Sequence, residues 1–506
     1  MQLSKNIISQ ITGAEVPHAT YFDLPEKVIQ FGTGVLLRGL PDYYIDKANK
    51  QGIFNGRIVV VKSTGNSDTN EFEQQDCLYT QCVCGVQKGA QVNYNIVNAS
   101  ISRVLHAKSQ WETILQCAAN PELQIVISNT TEVGIVYTEE SIFNTPPASF
   151  PGKLLSFLYR RFEVFNGAVD KGMAIVPTEL IIDNGVKLKN ILLQLAQYNN
   201  LSEDFINWLQ NSNIFCNSLV DRIVPGKPAA SMQRVIEASL GYTDDLLIMS
   251  EPYSLWAIET SHPQAKEILS FALSDDSVII APDISLYREL KLRLLNGSHT
   301  FSCGLAHLAH FITVEESMHN EAFASFIQSL MLDEIAPAIS DASIPDNMKA
   351  EFALSVLDRF RNPFIEHKWL NITLQYSSKM AMRNVPLITG YFKRFQRVPT
   401  RMSLGFAAHL LFMKCRQEGD GKYYGKINGH AYVVNDDRAA FYAEVWQQQK
   451  RAEAVATTIL ANKELWGENL LQLPGFAEKV ICFMNMLMHD GVQPALGEAD
   501  KQKTVV

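Results

Sequence analysis

The chain changes its pattern near residue 285, and this change constrains the fold more than any other feature. Before it, short apolar and β-branched runs alternate with helical patterns; the runs are residues 28–31, 58–61, 125–128 and 173–176, and the helical patterns include 111–119 and 153–165. Strands that alternate with helices are typical of parallel βαβ units. We therefore predict an α/β fold in which a Rossmann-type, doubly wound domain occupies residues 1–285.

Beyond Pro282-Asp283 the strand patterns fade. Helical periodicity then dominates, in the segments 287–295, 321–335, 349–360, 367–380, 404–413 and 438–459. Apolar residues that recur every three to four positions predict amphipathic helices. The sequence thus predicts a second, mostly α-helical domain over residues 286–506.

Composition excludes several classes of protein. The chain has 506 residues, of which 47% are hydrophobic and 19% charged, a balance typical of globular domains. Its net charge of −9 argues against nucleic acid or an anionic membrane as a partner. No apolar run reaches membrane-spanning length and no apolar segment follows the polar first six residues, so we expect a cytoplasmic protein without a signal peptide. The eight cysteines form no CxxC pair, so no zinc or other metal site is expected.

A glycine turn follows the first predicted strand. In Gly32-Thr33-Gly34 the first glycine permits a tight turn and the second lets the backbone approach a pyrophosphate. The third glycine of the dinucleotide fingerprint is absent, because Leu37 stands there. The second strand ends in Lys62 rather than in the acidic residue that holds the ribose of NAD. Lys62 either meets the 2′-phosphate of NADP or points to solvent, and the residues alone leave both open.

A second group of candidate residues lies just past the domain boundary. Lys291, Asn296 and His299 follow one another beside a run of leucines. On an α-helix Asn296 and His299 share a face, and Lys291 lies two turns before His299. A lysine among leucines loses solvation, which favours the neutral amine that can take a proton from an alcohol. The alternative is a lysine that reaches solvent beside a structural histidine.

These two groups together resemble the polyol-specific long-chain dehydrogenases, the mannitol dehydrogenase family. Its cofactor motif is similar to Phe31-Gly32-x-Gly34-x-x-x-Arg38, and its catalytic spacing is that of Lys291, Asn296 and His299. The resemblance implies a Rossmann-type domain, a helical domain, NAD as cofactor and no catalytic metal. The segment Asn129-Thr130-Thr131-Glu132 follows a strand at the edge where cofactors bind, so we assign it to the ribose and nicotinamide side together with Lys62. Glu132 could instead cap a helix.

Residues 127–134, 215–224 and 358–363 resemble the branch of this family that acts on sugar acids. Leu180 stands where mannitol enzymes carry a substrate-binding asparagine, which argues against a neutral polyol as substrate. A sugar acid needs a cation for its carboxylate, and the candidates are Arg359, Arg361, Lys379 and Arg383. We favour Arg361 and Lys379, with Arg383 one helical turn after Lys379; the alternative for each is a structural ion pair. His367 either lines the site or is structural.

The resemblance therefore implies reduction of a keto-uronate in hexuronate breakdown, with Lys291 as the acid and base. Three alternatives stay open: an enzyme for an epimeric keto-uronate, a neutral polyol dehydrogenase, and a nucleotide-binding regulator without catalysis. The sequence does not indicate an oligomeric state.

Overall fold

The chain folds into two compact units. The computed structural model describes residues 1–63, 70–130, 133–427 and 429–501. The first unit consists of Met1–Cys84 and Gln91–Ile284, and the second of Gly85–Ala90 and Ser285–Val506. The first is built of alternating strands and helices and the second is mostly helical, which confirms the predicted fold class.

A six-stranded parallel sheet forms the centre of the first unit. The strands before the boundary are β1 (Glu26–Phe31), β2 (Arg57–Lys62), β3 (Tyr79–Gln87), β4 (Ala90–Asn98), β5 (Ile101–His106), β6 (Ile125–Ser128), β7 (Ala174–Pro177), β8 (Ile214–Phe215), β9 (Asn217–Asp221), β10 (Ile248–Ser250), β11 (Leu255–Glu259) and β12 (Val278–Ala281). The order of the large sheet is β5-β2-β1-β6-β7-β8, and each neighbouring pair is parallel. This is the order of a doubly wound dinucleotide-binding sheet, which turns outward in both directions from β1.

Helices cover this sheet on both faces, so the middle of its strands is mostly apolar. Side chains alternate between two cores: Val28 of β1 enters one, and Ile29 and Phe31 enter the other. The α-helices of this unit are Val35–Gly39, Pro41–Lys50, Asn70–Gln74, Trp111–Cys117, Phe150–Val164, Asn184–Tyr198, Glu203–Asn211, Ala230–Leu240 and Ala265–Ile268. Two three-stranded sheets, β10-β3-β4 and β12-β11-β9, complete it.

The second unit packs its helices around one extended apolar core. Its α-helices are Ser285–Leu290, Ser298–Leu308, Val314–Met318, Glu321–Ser329, Ala336–Ala338, Asp346–Phe360, Trp369–Ile372, Tyr376–Lys379, Val385–Phe395, Thr400–Phe412, Ala439–Gln448, Ala452–Leu460, Lys463–Trp466, Phe476–His489 and Val492–Lys501. Three π-helical segments interrupt them, at Lys291–Gly297, Leu330–Ile335 and Met380–Asn384. A small antiparallel sheet is formed by β13 (Cys415–Gln417), β14 (Tyr423–Ile427) and β15 (His430–Val433). In the described part of the chain, no helix combines the length and apolarity needed to cross a membrane.

A buried arginine fixes the segments that lead into β6 and β7. The guanidinium of Arg161 donates four hydrogen bonds of 2.7 to 3.1 Å to the carbonyls of Ala118, Asn120, Leu123 and Lys171. Its side chain is 1% exposed, so water cannot replace these bonds.

We expect Arg161→Met to lower the free energy of unfolding by about 3 kcal/mol or more, because buried carbonyls lose their donors. Chemical denaturation measures the change. Arg160→Met is the matched control, since this neighbouring side chain is about half exposed, and a surface substitution shifts stability by only about 0.5 kcal/mol. Equal effects of the two substitutions would contradict the structural role of Arg161.

Candidate active site

The glycine turn lies at the carboxyl end of β1, where dinucleotides bind in doubly wound sheets. Gly32 has a φ of +128°, a conformation open essentially only to glycine. A Cβ added there would lie 2.8 Å from Leu37 Cδ1 and 3.1 Å from the Asn129 carbonyl oxygen. Leu37 is fully buried at the position of the missing third glycine. The first glycine is therefore required by the protein's own packing.

The second glycine is required for a different reason. Among the residues described, apart from its chain neighbours, a Cβ added at Gly34 would meet no atom within 4 Å. Gly34 also precedes the helix Val35–Gly39, whose first N–H groups have no partner within the helix. A bare backbone at a helix start is what a pyrophosphate needs. The turn therefore fits a dinucleotide.

The loop after β6 is tied to the loop after β7 by a buried carboxylate. Glu179 is 2% exposed, and its oxygens accept hydrogen bonds from the Thr130 N–H at 2.9 Å, the Thr130 hydroxyl at 2.9 Å and the Ser128 hydroxyl at 3.1 Å. Burial raises the pKa of Glu179, while these donors act to lower it. Asn129 donates to the Thr178 carbonyl at 3.0 Å. Sequence reasoning missed Glu179, because the sequence did not show that its side chain turns inward.

The side chains of two residues predicted to bind the cofactor face the interior. Phe31 is fully buried and packs on Phe150 with ring centroids 5.3 Å apart. Arg38 is 9% exposed and donates to the Leu246 carbonyl at 2.6 Å. Their assignment to the cofactor turn stays a prediction.

The remaining residues predicted to bind the cofactor either lie at the same edge of the sheet or are not among the described residues. Lys62 ends β2, opposite His106 of β5 in the register of the sheet. Asn129 and Thr130 are half-buried directly after β6. Thr131 and Glu132 lie outside the described residues.

The segment that carries Lys291 and Asn296 is a π-helix, from Lys291 to Gly297, and not the α-helix assumed from the sequence. In a π-helix residue i+5 bonds to residue i, so residues five apart share a face. This geometry aligns Lys291 with Asn296 and corrects the α-helical angles. Two hydroxyl groups donate hydrogen bonds to carbonyls of this π-helix. Ser298 donates to the Leu294 oxygen at 2.5 Å, and Thr300 donates to the Asn296 oxygen at 2.7 Å.

His299 follows in an α-helix and is held in an aromatic box. Its ring stacks on Phe360, with centroids 4.3 Å apart and planes at 10°. His367 and Trp369 meet its edges at 5.0 and 5.9 Å. The side chain is 8% exposed, and its Nε2 has no hydrogen-bond partner among the residues described. A buried polar atom without a partner is rare in proteins and requires an explanation.

Cations surround this box. Burial lowers the pKa of His299 well below its usual value, and the charges of His367, Arg359, Arg383 and Lys379 lower it further. The imidazole is therefore neutral. Arg383 donates to the Thr300 hydroxyl at 3.2 Å, and burial followed by the charge of Arg383 lowers the pKa of Lys379.

The structure does not bring Arg361 into this group. Arg361 is exposed just past the end of the helix Asp346–Phe360, whereas Arg359 is buried at 7% exposure. The two side chains are two residues apart on a helix and so point to different faces. The assignment of Arg361 to the substrate stays a prediction, and Arg359 is the arginine of this pair that lies beside His299.

Within the residues described, no three His, Cys, Asp or Glu side chains are grouped so that they could hold a metal ion. The polar groups of the candidate site are therefore an amine, an amide and an imidazole.

Comparison with known proteins decides the family. The model of the mannitol dehydrogenase Rossmann domain matches residues 26–269, and that of the mannitol dehydrogenase C-terminal domain matches residues 283–487. The chain belongs to the mannitol dehydrogenase family. The predicted family, the Rossmann-type fold and the prediction of an oxidoreductase are confirmed.

Relatives within this family cover almost the whole chain. Altronate oxidoreductase of Bacillus subtilis is 37% identical over 480 residues, 94% of this chain and 95% of that protein. Altronate oxidoreductase of Shigella flexneri is 35% identical over 490 residues, 95% of this chain and 98% of that protein.

Two solved structures share the fold. D-sorbitol dehydrogenase in its substrate-free form has a TM-score of 0.80 at 20% identity, covering 98% of this chain and 100% of that one. Pseudomonas fluorescens mannitol 2-dehydrogenase, in a ternary complex with NAD and D-mannitol, has a TM-score of 0.67 at 23% identity, covering 99% and 100%.

The open space at Gly34 gives a test of the cofactor turn. We expect Gly34→Ala to weaken NADH binding by about tenfold or more without loss of stability, because the new methyl group fills only the space open to a ligand. Gly32→Ala should instead lower the melting temperature, since its Cβ meets Leu37 and strains the backbone. Fluorescence titration with NADH and differential scanning calorimetry measure the two effects. Unchanged NADH affinity in Gly34→Ala would contradict the assignment.

The neutral His299 predicts a dependence of stability on pH. Burial also lowers the pKa of His409, to about 3. Below the unfolded-state pKa of about 6.5, the unfolded chain binds protons that these folded imidazoles do not, so stability falls as the pH falls. Each such histidine should reduce the free energy of unfolding by roughly 2 kcal/mol between pH 6.5 and pH 5.

Denaturation at pH 7, 6 and 5 measures this slope. His299→Gln should reduce the slope by one proton, whereas substitution of the exposed His262 should leave it unchanged. An identical slope in His299→Gln would show that the folded imidazole takes up the proton.

Proposed function

We propose that this member of the mannitol dehydrogenase family is an NAD-dependent altronate oxidoreductase, or tagaturonate reductase. It would interconvert D-tagaturonate and D-altronate, a reaction of hexuronate breakdown. The observation that carries the proposal is the set of cations around the buried His299. The relatives named altronate oxidoreductase, at 35% to 37% identity over nearly the whole chain, support the same substrate.

Two of these cations, Lys379 and Arg383, favour an anionic substrate. Lys379 and Arg383 form no ion pair with a carboxylate in the part of the chain that the structure describes. The Nε of Arg383 is buried without a hydrogen-bond partner there. Holding like charges together away from water costs free energy unless an anion joins them. A sugar-acid carboxylate supplies that anion, and a neutral polyol does not.

Lys291, Asn296 and His299 would carry the proton chemistry. In the reducing direction Lys291 as ammonium donates a proton to the carbonyl oxygen of the substrate, and in the oxidising direction its neutral amine removes the hydroxyl proton. Asn296 and the unpartnered Nε2 of His299 hold the same oxygen. A neutral imidazole suits this task, because it donates one hydrogen bond and does not compete as an acid.

NAD is the proposed cofactor. When bound, the nicotinamide supplies or accepts the hydride at its C4. The turn at Gly32 and Gly34 would hold the pyrophosphate, and the loop Asn129-Thr130 the ribose and nicotinamide side. Lys62 keeps NADP as an alternative, since its side chain lies at the edge where a 2′-phosphate would sit.

The deciding experiment follows NADH oxidation at 340 nm with D-tagaturonate, D-fructuronate and D-fructose, repeated with NADPH. We expect D-tagaturonate with NADH to give the highest kcat/KM. A preference for D-fructuronate would reassign the enzyme to the epimeric sugar acid. Activity on D-fructose alone would reject the carboxylate argument, and inactivity with all three would favour a nucleotide-binding regulator.

Lys291→Ala tests the acid and base in the same assay. We expect kcat to fall by about 10²- to 10⁴-fold, because general acid–base catalysis typically contributes a factor of that size. The affinity for NADH should stay within about twofold. Lys393→Ala, at an exposed lysine of the same unit, is the control and should retain full activity. A loss of NADH binding in Lys291→Ala would contradict the assignment of this lysine as the acid and base.

A further inference from the structure

Two of the three π-helical segments are bound to each other, and each carries part of the proposed site. Lys291–Gly297 holds the acid and base, and Met380–Asn384 holds Arg383 directly after Lys379. Arg293 of the first segment reaches the second: its Nη1 donates to the Met382 carbonyl at 3.0 Å and to the Arg383 carbonyl at 2.6 Å. π-helical turns are rare and occur often at functional sites.

A proline removes one backbone donor next to the second segment. Pro386 lies four residues after Met382 and has no N–H group. The Met382 carbonyl therefore cannot accept the bond that an α-helix would give it. Arg293 donates to this carbonyl, at an exposed residue, and to the partly buried carbonyl of Arg383. One guanidinium of the first segment thus holds two successive carbonyls of the second.

Arg293 is itself fixed from behind. Its Nε donates to Glu289 Oε1 at 2.7 Å, one turn earlier in the chain, and its side chain is only 14% exposed. A guanidinium is planar and presents its donors in a rigid fork, so anchoring one edge sets the direction of the other. Arg293 therefore holds the two segments at a fixed separation.

Two further bonds join the segments at the other end. Asn384 is fully buried and donates to the Gly297 carbonyl at 3.3 Å. Arg383 donates to the Thr300 hydroxyl, which in turn donates to the Asn296 carbonyl at 2.7 Å. These bonds do not involve the carbonyls of Met382 and Arg383, which accept from Arg293 instead.

We propose that Arg293 is a positioning residue that sets the place of Lys379 and Arg383 relative to Lys291 and His299, and so sets the preference for anionic over neutral ketoses. This inference rests on the proposed function, because it assumes that Lys379 and Arg383 hold the substrate carboxylate. Arg293 itself does not touch the substrate. Its two carbonyl acceptors turn it away from the proton chemistry and toward the backbone beneath the cations.

The test compares Arg293→Met, Arg293→Lys and the wild type with D-tagaturonate and D-tagatose, which differ only at the carboxylate. Arg293→Met should raise KM for D-tagaturonate about tenfold or more while kcat falls less than about fivefold. The ratio of kcat/KM for the acid to that for the neutral sugar should fall about tenfold. Arg293→Lys, which retains a donor, should restore part of both effects.

A binding measurement makes the result independent of turnover. D-altronate and NADH are both reduced and cannot react, so calorimetry can measure the Kd of D-altronate with NADH present. Arg293→Met should raise this Kd about tenfold and leave the Kd of NADH unchanged. Arg394→Met is the matched control, because Arg394 also donates to a helix carbonyl, that of Pro337 at 2.9 Å. It should change none of these values.

Three outcomes would overturn the inference. Equal losses with the acid and the neutral sugar, with an unchanged Kd for D-altronate, would show that Arg293 supports only the acid–base segment. Wild-type behaviour of Arg293→Met would show that it positions nothing, and a loss of helical circular dichroism shared by Arg293→Lys would show a purely structural role. If the wild type neither reduces D-tagaturonate nor binds D-altronate, the proposed function fails first, and this inference fails with it.

Discussion

The crowding of positive charge around one buried, neutral imidazole is the constraint on which the proposed active site depends. His299 can sit among His367, Arg359, Lys379 and Arg383 because burial holds it neutral and Phe360 covers its face. A protonated imidazole there would add one more positive charge beside these side chains. The proposed carboxylate of the substrate would meet the same positive charge, so the electrostatics would link the catalytic group to the substrate class.

In the second unit, π-helical segments position the side chains of the proposed site. A π-helix brings Lys291 and Asn296 to one face, which their spacing of five residues would not do on an α-helix. A second π-helix follows Lys379, and Pro386 leaves one of its carbonyls to be satisfied by Arg293. The backbone groups displaced from regular bonding are taken up by side chains of the facing segment. These bonds between the two π-helical segments fix the separation of the side chains that the segments carry.

In the first unit, the two glycines of the proposed cofactor turn are needed for different reasons. Gly32 is needed because Leu37 and the Asn129 carbonyl leave no room for a side chain. Gly34 is needed because a dinucleotide must approach the bare backbone. Glu179 then fixes the neighbouring loop by accepting hydrogen bonds from Thr130 and Ser128. A carboxylate satisfied by neutral donors orders the loop without adding charge to the edge of the sheet.

The sequence by itself determined the doubly wound sheet, the helical second unit and the positions of the glycine turn and of Lys291, Asn296 and His299. Runs such as Ile125-Val126-Ile127 predict buried strands because every position in them is apolar, and that signal is local. Tertiary structure decided the rest. The single helix predicted over 367–380 is broken between Trp369–Ile372 and Tyr376–Lys379, where Gln375 takes a φ of +52°. Arg359 is buried whereas Arg361 is exposed, Arg38 faces inward, and the helix that begins at Lys291 is π rather than α. Each of these depends on which distant groups satisfy a charge or a carbonyl, and periodicity along one chain cannot report that.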